Sequence, residues 1–536
     1  MSDATRKFAS VPAKEVREAL RAKREIALLD VREEQPHATG HPLFAANLPL
    51  SRIEMEAYAR IPRRTAPIVV LDNGEGYAVL AASALSKMGY TNISLLEDGL
   101  QGWRDAGYEV FEDVNAPSKA FGELVETKRH TPSLSAQEVR AMITAKADYV
   151  IVDVRRYDEF QTMSIPTAVS VPGAELVLRI RELAPRQETQ VIVNCAGRTR
   201  SIIGTQSLIN AGIPNRIAAL RNGTIGWTLA QQELAHGAKE HFPEVDAATK
   251  TLAAERARAV ADKAGVSRIT LDELRRRFPS DDETVYLFDV RTPEEFLESH
   301  LPDFRNAPGG QLVQETEMFA PVHGARIVLA DNDGSRANMT GSWLAQMGWE
   351  VAVLDGLFKE DFTEAGPSAP KVVPPLVSKE YLLTPAELAQ KNFALAEDAV
   401  ILDFASSLQY RCEHIAGARY ALRSQLQQAL ERTEEASCYV VTSPDGVAAR
   451  FAWADLRALT MKPVYLLGGG TTAWTLAGQP LTSEAPRYAS DPIDRYRRPY
   501  EGTDAPASAM QAYLDWEYGL VAQLERDGTH GFFVIE

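Results

Sequence analysis

Cys195 is one of three cysteines in 536 residues, and its neighbours suit it to covalent chemistry. It follows Val191-Ile-Val-Asn194, whose apolar, β-prone character predicts a short buried strand. Ala196, Gly197, Arg198, Thr199 and Arg200 then read as a tight loop, and Ser201 to Ile209 as a helix with Ser201 near its start. Successive backbone N–H groups in such a loop point inward and form an anion-binding nest. The helix adds its positive N-terminal end, and Arg198 and Arg200 add full charges. All three effects favour thiolate over thiol, so Cys195 is expected to titrate below the roughly 8.5 of a free cysteine. They would equally hold a bound anion or a charged covalent intermediate on the sulfur. A buried cysteine acting as a small hydrophobe is the bland alternative. Two arginines and a glycine directly after it argue against that.

The chain is too long for a single core, and its length suggests about three to five domains. Hydrophobic content of 45% and charged content of 24% fit globular protein. A net charge of −16 and the lack of a long basic run argue against nucleic acid as a partner. The longest apolar runs are of strand length, so no membrane span is expected, and the N-terminus does not read as a signal peptide. An odd, sparse set of cysteines (Cys195, Cys412, Cys438) is no disulfide framework, and no CxxC pair points to zinc, so no metal is expected. A reducing cytoplasm fits.

The elements that must position Cys195 recur along the chain. Leu28-Leu-Asp-Val-Arg-Glu33 returns as Ile151-Val-Asp-Val-Arg-Arg156, as Leu287-Phe-Asp-Val-Arg-Thr292 and, more weakly, as Ile401-Leu-Asp-Phe-Ala-Ser406. Each copy has an amphipathic helix upstream: Pro12 to Leu20, Ser135 to Ile143, Thr270 to Phe278 and Thr384 to Gln390. Each continues with a strand, a helix and a strand that exits into glycine, at Gly99, Gly223, Gly356 and Gly469. Trp103, Trp227 and Trp474 follow in three of them. Apolar strand runs alternating with helical segments predict α/β units, each a mostly parallel central sheet with helices on both faces. Ligands of such sheets bind at the carboxyl ends of strands, where Cys195 falls. Between units, Asp113 to Pro132 reads as polar and irregular, Asp246 to Gly265 as a linker helix, and Gly366 to Pro375, with four prolines, as an extended spacer. A last helix is expected over Ser508 to Arg526. It places Met510, Tyr513, Leu514, Glu517, Leu520, Val521 and Leu524 on one face, suited to packing on a neighbouring domain or a second subunit.

These residues resemble the rhodanese sulfurtransferase family, and the tandem arrangement resembles its multidomain bacterial members. The family's Asp-x-Arg-x-x-x-Glu-Phe signature is matched by Asp153-Val-Arg-Arg-Tyr-Asp-Glu-Phe160 and Asp289-Val-Arg-Thr-Pro-Glu-Glu-Phe296. Its Gly-His-Ile-Pro-Gly-Ala stretch survives best as His414-Ile-Ala-Gly-Ala418, and in part as Gly40-His41-Pro42 and His300-Leu-Pro302. In the second unit Ser164 replaces the usual histidine. The resemblance implies four rhodanese-like domains over 5–112, 130–235, 266–365 and 380–485, a helical linker over 236–265 and a helical tail over 486–536. In the family the catalytic cysteine opens the loop after the strand. The second unit has Cys195 there; the others have Asp72, Asp331 and Ser443. One catalytic and three inactive units are therefore expected, with Cys412 and Cys438 structural.

The resemblance further implies transfer of sulfur from thiosulfate to cyanide or another thiophilic acceptor, through a Cys195 persulfide and without a cofactor. That is covalent ping-pong catalysis. The amides of Ala196 to Ser201 would stabilise the persulfide, and Arg198 and Arg200 would orient the donor. Arg200 is the firmer candidate, and Ser201 is expected to cap the helix and donate to the sulfur. Asp153, Arg155 and Glu159 read as internal support, and Trp227 as either a pocket wall or core. Two alternatives stay open. One is a scaffold for sulfur relay or redox sensing, loaded by a protein partner. The other is a phosphatase or arsenate reductase; family relatives of that kind use Cys-x5-Arg, and here the arginine comes one residue early. The inactive units could shape the pocket or support a homodimer.

Overall fold

The apolar runs around each repeated aspartate become the central strands of four sheets. The computed structural model describes residues 8–278, 282–368, 372–390, 398–502 and 504–536. The expected start of the first unit, and part of the Gly366 to Pro375 spacer, lie outside these residues. In the second unit the strands run Ser133–Leu134, Ile217–Leu220, Gln190–Asn194, Tyr149–Asp153 and Val169–Ser170 across the sheet, all parallel. The other three sheets repeat this order. The first carries an addition from elsewhere in the chain. Val322–His323, from the third unit, pairs antiparallel with Ile26–Asp30.

The first three units are fused through one continuous core. It joins Leu29 and Val70 of the first, Val193 and Leu208 of the second, Ala257 and Val260 of the helix Ala247–Lys263, and Ile327 and Trp343 of the third. The fourth unit keeps apolar clusters of its own. It meets the first unit through polar contacts, such as Arg423 with Glu54 and the Ser424 hydroxyl donating to Glu33.

The segment expected to be polar and irregular, Asp113 to Pro132, contains a buried helix instead, Ala116–Arg129. Asn115 enters it with φ 59°, Pro117 fits its first turn, and His130 ends it with φ 49°. Its polar residues resemble a solvated joint in sequence because their partners are distant along the chain or held in the turn before it. Lys119 pairs with Asp113, and Glu123 with Arg198. Gly122 permits close approach to the next helix, since a Cβ there would lie 2.8 Å from Thr199 Cγ2.

The tail ties the units together. Gln35 N–H donates to the Ile493 carbonyl, and Tyr496 N–H to Glu34. The helix Ala507–Asp527 then crosses the first two units, burying Tyr513, Leu514, Leu520 and Leu524. Beyond it, Phe533 and Ile535 N–H donate to Gln346 of the third unit.

Phe121 is fully buried and packs edge-on to both Trp343 and Phe532, so it lies where units and tail meet. Phe121→Ala should cost about 3–5 kcal/mol. Chemical denaturation followed by tryptophan fluorescence should show the transition of the fused units moving to lower denaturant.

Candidate active site

Cys195 follows the central strand Gln190–Asn194 directly, and the next helix, Thr199–Asn210, starts two residues earlier than expected. The loop between them has its carbonyls pulled outward. Thr224 N–H donates to the Cys195 carbonyl at 2.9 Å and Ile225 N–H to that of Ala196 at 3.0 Å. Gly223 makes this possible. It has φ +54°, and a Cβ there would sit 2.3 Å from the Cys195 carbonyl oxygen. With the carbonyls turned out, the loop amides are left to face inward.

The other three copies show what such a loop accepts. Asp72 takes the Gly74 and Ala78 amides at 3.0 and 2.9 Å. Asp331 takes those of Gly334 and Ala337 at 2.9 and 2.8 Å. Ser443 Oγ takes the Ala449 amide at 3.2 Å. In each, the sixth residue after the opening position supplies an N–H to that position's own side chain. In the second unit the sixth residue is Ser201, and its amide faces the Cys195 sulfur. The Ser201 hydroxyl donates to the Arg198 carbonyl at 2.9 Å and accepts from the thiol at 3.4 Å. It is therefore not the helix cap; Arg198 holds that position.

The two arginines part company. Arg200 reaches Glu159 through both terminal nitrogens, at 2.8 and 2.9 Å, and holds that carboxyl down at about 2 against its burial. Arg336 makes the same clasp to Glu295 in the third unit. Arg200 thus supplies the sulfur with charge rather than with a free donor pair. Arg198 turns away. Its guanidinium is clamped by Glu123 at 2.7 and 2.9 Å, by Glu126, and by the Tyr518 hydroxyl at 3.0 Å.

The expectation of a depressed thiol pKa is overturned. Cys195 is 1% exposed. Burial pushes the thiol above its ordinary value, and the nearby Glu517 carboxyl adds to the rise. The Arg200 charge and the Ser201 amide, which favours the thiolate, pull the other way and are outweighed. Local sequence displays the charges of a loop but not what covers it.

Support comes from beneath and above. Asp153 accepts from Arg155 at 2.9 and 2.8 Å and from the Asn194 side-chain Nδ2 at 2.7 Å, which fixes the strand end just before Cys195. Trp227 is core: it packs with Ile151, Phe160 and Ile192, and its indole donates to the Glu233 carbonyl. Above the loop lies the tail helix. A Cβ on Gly197 would be 3.2 Å from Tyr513 Cε1 and 3.4 Å from Glu517 Oε2. A cleft of about 260 Å³ lies alongside, lined by Arg155 and Arg200 of the second unit, Gln314 of the third, and Arg498 and Tyr500 of the tail. The one sequence signal for this cover was a carboxylate, Glu517, set in an otherwise apolar helical stripe. Cys412 is exposed at the end of the helix Ser407–Cys412, and Cys438 is buried just before the strand Tyr439–Thr442.

The family model of the rhodanese-like domain matches residues 12–106, 135–230, 270–361 and 384–477. The chain belongs to the rhodanese family. Among solved structures, a thiosulfate sulfurtransferase from Pseudomonas aeruginosa matches at 59% identity with a TM-score of 0.96, over 99% of this chain and 100% of that one. The BH2092 protein from Bacillus halodurans matches at 19% identity and a TM-score of 0.18, over 24% of this chain and 93% of its own. A rhodanese-related protein from Thermoplasma volcanium matches at 22% identity and a TM-score of 0.17, over 19% and 97%. The search of curated proteins returns no match. No helix among the described residues is long and apolar enough to cross a membrane.

Two outcomes follow from this geometry. Gly223→Ala should displace the Cys195 carbonyl and slow sulfur loading by about a hundredfold or more, with circular dichroism unchanged. Alkylation of Cys195 by iodoacetamide, followed by peptide mass analysis, should rise with pH to a midpoint above the roughly 8.5 of free cysteine. Arg200→Gln should move that midpoint higher still.

Proposed function

We propose that this chain is a thiosulfate sulfurtransferase in which Cys195 of the second unit is the sole sulfur carrier. One observation carries this reading. The same inward-facing loop occurs in all four units, and in three of them an aspartate or serine side chain already takes its amides. Only the second unit presents a nucleophile there that can bond to sulfur. The thiosulfate sulfurtransferase from Pseudomonas aeruginosa, similar along the whole chain, supports the choice of donor.

The reaction follows from the site. The Cys195 thiolate attacks the outer sulfur of thiosulfate. A bond forms between the two sulfurs, the S–S bond of thiosulfate breaks, and its electron pair leaves on sulfite. The persulfide that remains is an anion. The Ser201 amide and the Arg200 charge, which already favour charge on Cys195, favour it on the outer sulfur as well. A thiophilic acceptor then removes that sulfur: cyanide leaves as thiocyanate and the thiolate returns. The carrier is the persulfide itself, so no cofactor enters the cycle. The raised thiol pKa means that, with donor saturating, loading quickens with pH as the thiolate fraction grows. Unpaired cysteines fit a cytoplasmic setting, and a protein thiol could take the place of cyanide as acceptor.

Intact-protein mass after thiosulfate treatment tests the assignment. Wild type should gain one sulfur, lose it to cyanide and release thiocyanate. Cys195→Ser should gain none. Cys412→Ser and Cys438→Ser should load as wild type does. Sulfur retained on Cys195→Ser would place the carrier in the fourth unit and contradict the proposal.

A further inference from the structure

Glu517 sits over the reactive loop without belonging to any rhodanese-like unit. It is 1% exposed. The Tyr513 hydroxyl donates to its Oε1 at 3.0 Å. Its Oε2 is buried with no hydrogen-bond partner among the described residues, and this is the oxygen turned towards Gly197. An unpartnered carboxyl oxygen in such a place is costly unless something is meant to meet it.

The groups around it do not compensate a charge. Glu123 faces it from the helix Ala116–Arg129 and repels it. Lys119, on the same helix, attracts it but is bound to Asp113 at 2.8 Å. Arg198, from the loop, attracts it but is clamped by Glu123 and Glu126. Tyr513 stands beside it on its own helix, with the buried Tyr500 ring packed edge-on to Tyr513. Cys195 lies below and adds a negative charge when ionised. Burial together with Glu123 pushes the Glu517 carboxyl up to about 8. At neutral pH the group is thus a carboxylic acid with a proton to give.

We infer that Glu517 is a catalytic acid: its Oε2 hydrogen-bonds to a sulfonate oxygen of the donor and passes its proton to the departing sulfite. This rests on the sulfurtransferase reading above and adds a residue to it. The balance is simple. Thiolate, thiosulfate dianion and neutral acid carry three negative charges in all. Persulfide anion, hydrogensulfite and the Glu517 carboxylate carry the same three. The S–S electron pair stays on the leaving group, the proton bonds to its oxygen, and solvent then reprotonates Glu517. An ionised Glu517 would instead repel the donor, which makes donor binding depend on this one proton.

The test uses the full-length chain with Cys195→Ser, which removes the thiol titration and prevents turnover. Thiosulfate affinity is measured by titration calorimetry from about pH 6.5 to about pH 9.5. With Glu517 present, affinity should fall by up to about tenfold per pH unit above about 8, because binding requires the protonated acid. In the Cys195→Ser, Glu517→Gln double variant, the neutral amide keeps a donor, and affinity should vary less than about twofold over the same range. A second readout needs no change at Glu517. Binding at about pH 8.5 should take up close to one proton, seen as a binding heat that depends on the buffer's ionisation enthalpy. An equal alkaline fall in the Gln variant, or binding without proton uptake, would overturn the role of Glu517 even if wild type forms the persulfide. Failure of wild type to gain sulfur from thiosulfate at every pH would overturn the sulfurtransferase reading, and this inference with it.

Discussion

An inward-facing loop of backbone amides must have something to bind, and much of this protein is arranged around that need. Each amide left without an acceptor in a buried loop costs free energy. Three of the units meet the demand with their own side chains. Asp331 accepts from the Gly334 and Ala337 amides even though burial and Asp333 push its carboxyl up to about 7. The second unit places a thiol in the same position. A thiol accepts hydrogen bonds weakly, so its loop is the one that gains most when an extra sulfur brings negative charge into it.

The three cysteine-free copies are not spare parts. The first and third share a core with the second, and a strand of the third completes the sheet of the first. The third unit's Gln314 and the tail's Arg498 and Tyr500 wall the cleft beside Arg200. Glu123, which fixes Arg198, comes from the helix that joins the first unit to the second. The tail helix lies on the loop itself. A single rhodanese-like unit cut from this chain would keep the strand, the loop and Arg200, but lose the tail helix that lies against Gly197.

Much of this was readable in the sequence because each sheet is buried on both faces. Strands of that kind give near-continuous apolar runs, and four runs at similar spacing expose the repeat. The reactive loop was readable for a related reason: its chemistry is written in consecutive residues, from Cys195 to Ser201. What escaped depends on partners far along the chain. Lys119 and Glu123 made the segment after Asp113 look like a solvated joint, because nothing local announces the ion pair between Glu123 and Arg198. The strand Val322–His323 is two residues long and pairs with the other end of the fused body. The charges beside Cys195 point to an acidic thiol; burial reverses this, and Glu517, on a helix more than three hundred residues away in sequence, adds to the reversal. Glu517 was visible as a misfit in an apolar stripe, and the misfit marks where the tail meets the reactive loop.

The most direct test of this account is a crystal structure of the protein after exposure to thiosulfate. One added sulfur is expected on Cys195 Sγ, within hydrogen-bonding distance of the Ser201 amide, with the Asp72, Asp331 and Ser443 loops unchanged. An added sulfur turned away from the loop amides, or a donor anion displacing the aspartate side chain in the first or third unit, would contradict it.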